Sequence, residues 1–165
     1  MITPTGALIL LVPVLPIAIW AASSDLKRMK IPNQSVLAMA AVWPALGWLA
    51  VPTWSAWLWG FAIMAIVLVA LYLLYTTGTF GAGDAKYAAA MSGIFVGTPI
   101  VFFLALIAGS MIGALILHRI CRGIPAIRRM TPDWVSWEQK RYFPFGLALS
   151  MIVVFYLIAA IWPQV

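Results

Sequence analysis

Charge of any kind is scarce in this sequence, and acidic residues are the scarcest. Only 8% of the 165 residues are charged, with four Asp and Glu against ten Lys and Arg. Hydrophobic residues make up 65% of the chain, and the mean hydropathy is +1.05. A soluble domain of this length has too little interior to bury so much apolar surface, so the composition excludes that class. Because no polar stretch is long enough to fold separately, we predict one integral-membrane domain over residues 1–165.

Cysteine and histidine are almost absent, since Cys121 and His118 each occur once. One cysteine cannot form a disulfide within the chain, and without a Cys/His cluster a zinc or other transition-metal site is not predicted. The isolated histidine also gives no support to a Ser–His hydrolase. We therefore expect neither a metal nor another cofactor.

Long apolar runs, in contrast, fill most of the chain, and crossing the hydrocarbon core takes ~20 residues. They predict an all-α polytopic membrane helix bundle with about six transmembrane helices, at residues 8–24, 36–51, 56–75, 85–97, 99–117 and 143–162. The run at residues 85–97 is the shortest, and whether it crosses fully is left open. No Lys or Arg precedes the first run, so we expect a retained helix and not a cleaved leader.

The positive charge is confined to alternate connections between these runs. All ten Lys and Arg lie in residues 25–34, 76–86 and 118–141. The positive-inside rule then predicts that these three segments are cytoplasmic and that both termini lie outside. Moving any one crossing would scatter the charges over both sides, so the charge distribution also supports six crossings.

Residues 118–143 are predicted to form a basic amphipathic cytoplasmic segment. Isoleucines recur there at helical spacing among arginines, and Trp134 and Trp137 are expected to share a face. Thr131 and Pro132 have the sequence of a helix start. Such a segment is typical of a helix lying on an anionic inner leaflet, which makes the lipid bilayer an expected partner. No nucleic-acid motif accompanies the arginines, so we do not expect a nucleic-acid partner.

Two aspartates border apolar runs with no other acid beside them. Asp25 ends the first run, and Asp84 lies in Thr79-Phe-Gly-Ala-Gly-Asp-Ala-Lys86 between the third and the fourth. Ionisable groups at a membrane boundary are costly to place and are functional candidates. Two carboxyl groups at matching depth could share one proton, one acting as general base on water and the other as acid, as in aspartyl proteolysis.

Each aspartate also has a structural interpretation. Asp25 could be a solvated loop acid beside three Lys and Arg residues, and Asp84 could cap the following helix. A small cation-coupled transporter using the same two aspartates is an alternative function, although transporter acids usually lie near the midplane between repeated halves. A structural membrane subunit without chemistry would not require two such acids. Helix-end dipoles alone predict that Asp84 is the ionised member of the pair and Asp25 the protonated one.

Three motifs resemble those of the type IV prepilin peptidases, which are membrane aspartyl proteases with a GxGD motif. Asp25-Leu-Lys-Arg-Met-Lys-Ile-Pro-Asn33 is similar to their first-aspartate motif, and Gly81-Ala-Gly-Asp84-Ala-Lys86 to the GxGD motif with its following Lys. Phe143-Pro-Phe-Gly146 resembles the Pro-aromatic-Gly element that opens their last helix. The motifs occur in the family's order and together span most of the chain, which makes the combination specific.

The resemblance implies that Asp25 and Asp84 are the catalytic pair. It implies loop support or substrate contacts by other motif residues, namely Gly81, Gly83, Lys86, Pro32 and Asn33. It further implies removal of the basic leader peptide of prepilins and pseudopilins, at the cytoplasmic face of the bacterial inner membrane. With one cysteine, the sequence has no counterpart of the zinc and methyltransferase domain of larger members, and it resembles the short Flp-type (tight-adherence) form. Nothing in the sequence indicates the oligomeric state.

Overall fold

The structure, a computed structural model, describes residues 1–139 and 143–162. Within these ranges the chain forms seven α-helices, two short 3-10 helices and no β-strand, which confirms the all-α prediction. The α-helices are α1 (Pro4–Arg28), α2 (Asn33–Ala50), α3 (Trp54–Thr76), α4 (Ala82–Ser92), α5 (Ile100–Gly123), α6 (Pro125–Met130) and α7 (Phe145–Ile161). The 3-10 helices are Gly93–Phe95, which continues α4, and Val135–Trp137.

Three helices have the length and composition of a membrane crossing. These are α1, α3 and α5, and an 18-residue stretch of each has a mean hydropathy of 2.2, 2.4 and 2.7 respectively. The apolar helix α7 is shorter, with 17 residues. The helix α4 has 11 residues, about 16 Å of helix, which is roughly half of the hydrocarbon core. The helical membrane bundle is thus confirmed, whereas the count of six crossings and the side of the termini stay predictions.

The helix α1 is longer than the apolar run from which it forms. Thr3 caps its start, because the Thr3 hydroxyl accepts a hydrogen bond from the Gly6 N–H at 3.0 Å. The helix continues past Ser24 and stops at Met29, which has a left-handed φ of 53° and donates its N–H to the Asp25 carbonyl at 2.7 Å. Asp25 therefore lies in the last turn of a helix and not in the following loop.

The helix α4 lies in the interior, where it packs against α2, α3 and α7. Trp43 of α2 and Tyr87 of α4 are fully buried. Gly60 of α3 and Gly93 lie directly against the Trp43 ring, and a Cβ at Gly93 would come within 3.1 Å of it. Small residues let helices approach closely inside a membrane bundle. This packing holds α4, which carries Asp84, against α2 and α3.

Different chain segments meet at the two ends of the helix bundle. At one end the Thr3 N–H donates to the Ala50 carbonyl at 2.8 Å, and Gly97 lies against Met1. The chain start, the end of α2 and the end of α4 therefore meet there. The end of α1, the start of α4 and the start of α7 lie at the opposite end, and this is where the candidate site forms.

The predicted helix start at Thr131 is wrong. Thr131 instead ends α6: its Oγ1 donates to the Ile127 carbonyl at 2.8 Å, and its own carbonyl accepts the Trp137 Nε1–H at 3.1 Å. The Thr131 hydroxyl therefore bonds to the preceding helical turn and does not cap a following helix. Trp134 and Trp137 do share a face, with ring centroids 5.4 Å apart. Residues 140–142 of this predicted segment lie outside the described residues.

Candidate active site

Asp25 is almost completely buried at the end of α1, with 4% of its surface exposed. Its Oδ2 accepts a hydrogen bond from the Gly146 N–H at 2.7 Å, across 121 positions of sequence. Gly146 is the second residue of α7, where backbone N–H groups have no partner inside the helix. Burial makes a charge on Asp25 costly, and the strong donor at Gly146 offsets part of that cost. The interpretation of Asp25 as a solvated loop acid is therefore wrong.

Gly146 has to be small for this contact to form. A Cβ at this position would lie 3.0 Å from the Cβ and Oδ2 of Asp25 and 3.0 Å from Cδ1 of Ile31. Both neighbours are buried, so neither has much room to move away. The glycine of the Pro-aromatic-Gly motif thus lets the α7 backbone approach the carboxylate directly.

Asp84 lies in the first turn of α4 and is partly buried. The N-cap of this helix is Gly81, three residues earlier, so the interpretation of Asp84 as the N-cap is wrong. The Asp84 carboxyl group turns back over the helix start, because a Cβ on Gly81 would lie 2.5 Å from Asp84 Oδ2. Gly81 therefore leaves the space that this carboxyl group occupies.

Both carboxyl groups line the same two cavities. The larger cavity, of about 660 Å³, is walled by Phe80, Val135, Gln139, Phe143 and Phe145 among others. The smaller cavity, of about 320 Å³, is walled by Lys30, Ile31, Asn33, Gly83 and Lys86 among others. Among the described residues, no hydrogen bond joins the two carboxyl groups and no three His, Cys, Asp or Glu residues come together. The site is a pair of acids that share cavities without direct contact.

Burial disfavours the charged form of both carboxyl groups, and their other neighbours distinguish them. Burial, together with the negative charge of Asp25 nearby, raises the pKa of Asp84 from 3.8 to about 7. At Asp25 the Gly146 N–H offsets part of the cost of burying a charge, and Asp84 has no such donor among the described residues. These surroundings favour the opposite assignment to the one that helix ends predict, for a reason of magnitude. A helix end contributes ~0.3–1 kcal/mol, whereas each pKa unit corresponds to about 1.4 kcal/mol.

Most of the predicted supporting residues lie at this site. Four of them line one or both cavities: Gly81, Gly83, Asn33 and Lys86. Pro32 lines neither cavity. It directly precedes α2, where its carbonyl accepts a hydrogen bond from the Ser35 N–H at 3.1 Å. Pro32 therefore contributes to the start of α2 and not to the walls around the aspartates.

The aromatic wall of the larger cavity is a feature that the sequence analysis missed. Phe80 and Phe145 contact each other edge to face with ring centroids 5.1 Å apart, which joins the loop before α4 to the start of α7. Val135 and Gln139 line the same cavity from the segment after α6. Phe145 belongs to the Pro-aromatic-Gly motif, which is an available signal. No sequence pattern marks Val135 or Gln139.

The apolar helices define the class of the protein as a helical membrane protein, and its candidate site contains two carboxyl groups that line the same cavities. A sequence profile of the type IV leader peptidase family matches residues 12–117, which include Asp25 and Asp84. The match covers more than half of the chain, so the chain belongs to this family of proteases. Comparison with curated proteins gives no match, and neither does comparison with solved structures. The matched range ends within α5, so Gly146 lies outside it.

Gly81→Ala is expected to lower the peptidase activity by about 10²-fold, because the new Cβ would displace the Asp84 carboxyl group. The matched control is Gly83→Ala in the same motif, where a new Cβ would lie 3.6 Å from the nearest Ile31 atoms, an ordinary contact. The control should keep its activity within about twofold. Hydrolysis rates of the purified variants, at equal concentrations of folded protein, provide the measurement. Equal losses in both variants would contradict the displacement of Asp84 as the cause.

Proposed function

We propose that the chain is an aspartyl endopeptidase that removes the leader peptide of type IV prepilins, with Asp25 and Asp84 as its catalytic pair. The observation that carries the proposal is the placement of two carboxyl groups on one cavity, one of them with a backbone donor and the other with a pKa raised to about 7. Membership of the leader peptidase family supports the substrate class. The cation-coupled transporter considered above finds no support in the family match.

In this proposal Asp25 is the general base and Asp84 the general acid. A water molecule attacks the scissile carbonyl carbon while its proton passes to Asp25, and Asp84 donates its proton to the carbonyl oxygen. The tetrahedral diol then collapses as Asp25 passes its proton to the departing amide nitrogen and Asp84 takes back a proton from a hydroxyl group. The C–N bond breaks, and both carboxyl groups return to their starting protonation states.

The larger cavity has more room for an extended peptide than the smaller one, at about 660 Å³ against about 320 Å³. Phe80 and Phe145 offer apolar surface for the residues beside the scissile bond. The proposal therefore places Flp-like prepilins and pseudopilins in the larger cavity.

The proposal includes a multi-pass location in the bacterial inner membrane, with the site at the cytoplasmic face. Lys27 and Lys86 lie within one turn of the two aspartates, which supports a site on the positively charged side. Residues 1–165 would then form a single peptidase domain of the short form, with residues 118–143 on the anionic leaflet. The mechanism requires no metal or other cofactor.

Asp25→Asn and Asp84→Asn are each expected to lower leader removal by about 10²–10⁴-fold. Asn is nearly isosteric with Asp, but it can neither accept nor donate the required proton. The matched control is Asp133→Asn, at an exposed acid that lines neither cavity, which should stay within about twofold of wild type. The measurement is release of the leader from a purified prepilin in detergent, followed on gels. Full activity in either site variant would remove that residue from the mechanism.

Leader removal is expected to fall as the pH rises through about 7, because Asp84 then loses the proton that it donates. Above this pH the rate should approach a decline of about tenfold per pH unit. The two acids titrate as a coupled pair, so the fall in rate at high pH reports on the pair and not on Asp84 alone. Values of kcat/KM measured from about pH 6 to about pH 9 provide the check. The control Asp133→Asn should show the same fall in kcat/KM at high pH. A rate that keeps rising across this range would contradict the proposed acid.

A further inference from the structure

A third cavity, of about 550 Å³, lies outside the aspartate site, between the end of α5, α6 and the turn that follows. We call it the arginine cavity; its charged and aromatic lining residues are Arg122, Arg128, Arg129, Trp134, Trp137 and Glu138. Three positive charges therefore face one negative charge. No ion pair neutralises these guanidinium groups in the part of the chain that the structure describes. The cavity thus has a net positive charge that attracts an anion.

A hydrogen bond and two ring-stacking contacts fix the aromatic wall of the arginine cavity. Trp137 is buried and donates its Nε1–H to the Thr131 carbonyl at 3.1 Å. Its ring stacks on Trp134 with centroids 5.4 Å apart and on His118 of α5 with centroids 5.2 Å apart. A wall that is already fixed needs little reordering when a ligand binds, which lowers the entropic cost of binding.

The arginine cavity lies where a helix of membrane-crossing length ends. Arg122 is in the last turn of α5, one of the three long apolar helices. Close to it along the chain, Ile120, Ile124 and Met130 are exposed, and Met130 exposes 83% of its surface. Arginines and tryptophans next to exposed apolar side chains match the boundary between lipid headgroups and acyl chains.

We propose that the arginine cavity binds the phosphate group of an anionic phospholipid. A guanidinium group binds phosphate oxygens through two parallel hydrogen bonds, and here three such groups surround one space. Because apolar side chains are exposed close to the cavity, a phosphate group that carries acyl chains, as in phosphatidylglycerol, fits better than a soluble anion. A defined site differs from a general attraction to an anionic leaflet, because only the arginines that line the cavity contribute strongly.

The experiment measures binding of short-chain phosphatidylglycerol to the whole purified chain in neutral detergent, by isothermal titration calorimetry. Short-chain phosphatidylcholine and inorganic phosphate are the comparison probes. Phosphatidylglycerol should bind saturably and at least about tenfold more tightly than either. Arg128→Gln and Arg129→Gln should each weaken this binding by about tenfold. The matched control, Arg119→Gln, removes the same charge from an exposed position of α5 outside the cavity and should change binding less than about twofold.

Each contrary outcome overturns the proposal. Equal weakening by Arg119→Gln and Arg128→Gln would indicate diffuse surface charge, and inorganic phosphate binding as tightly as the lipid would indicate a soluble anion. Absence of saturable phosphatidylglycerol binding would leave no site at all. Arg128 and Arg129 are exposed, and unchanged thermal unfolding without lipid will show that the variants are folded. Binding is measured without a peptide, so the result is independent of the proposed peptidase function.

Discussion

The hydrogen bond from the Gly146 N–H to Asp25 Oδ2 connects the first helix to the last one, and the rest of the site depends on it. A second contact one turn further along α7 has the Ser150 hydroxyl donate to the Ala18 carbonyl at 2.9 Å. Both contacts are buried, so breaking either would leave an unsatisfied polar group at a cost of about 1–3 kcal/mol. Together they fix the register of α7 on α1, and with it the position of the Asp25 carboxylate.

The same hydrogen bond distinguishes two acids that burial affects in the same direction. It offsets part of the cost of a charge on Asp25, whereas burial and that nearby charge raise the pKa of Asp84 to about 7. A pair that holds one proton near neutral pH suits acid–base hydrolysis of a peptide bond. The arginine cavity adjoins the larger aspartate cavity along the chain. Val135 lines the larger cavity, and Trp134, the preceding residue, lines the arginine cavity. One short segment therefore borders both cavities.

Features that rest on local sequence could be predicted, and those that rest on contacts between distant segments could not. The helices follow from the apolar runs, and the positions of Asp25 and Asp84 near helix ends follow from the ends of those runs. The donor at Gly146 lies 121 residues from its acceptor, so no local pattern indicates the contact that distinguishes the two acids. The role of Thr131 was equally ambiguous, because its hydroxyl can begin one helix or end another. In the structure Thr131 ends α6, and its carbonyl accepts a hydrogen bond from the Trp137 indole.

We propose that the resting proton of the pair belongs to Asp84 and that Asp25 is ionised. Carboxyl infrared spectra of wild type, Asp25→Asn and Asp84→Asn, recorded at about pH 6 between the ordinary carboxyl pKa and that of Asp84, test it directly. The account predicts a protonated-carboxyl band that persists in Asp25→Asn and is absent from Asp84→Asn. A band that survives in Asp84→Asn and vanishes in Asp25→Asn would contradict it.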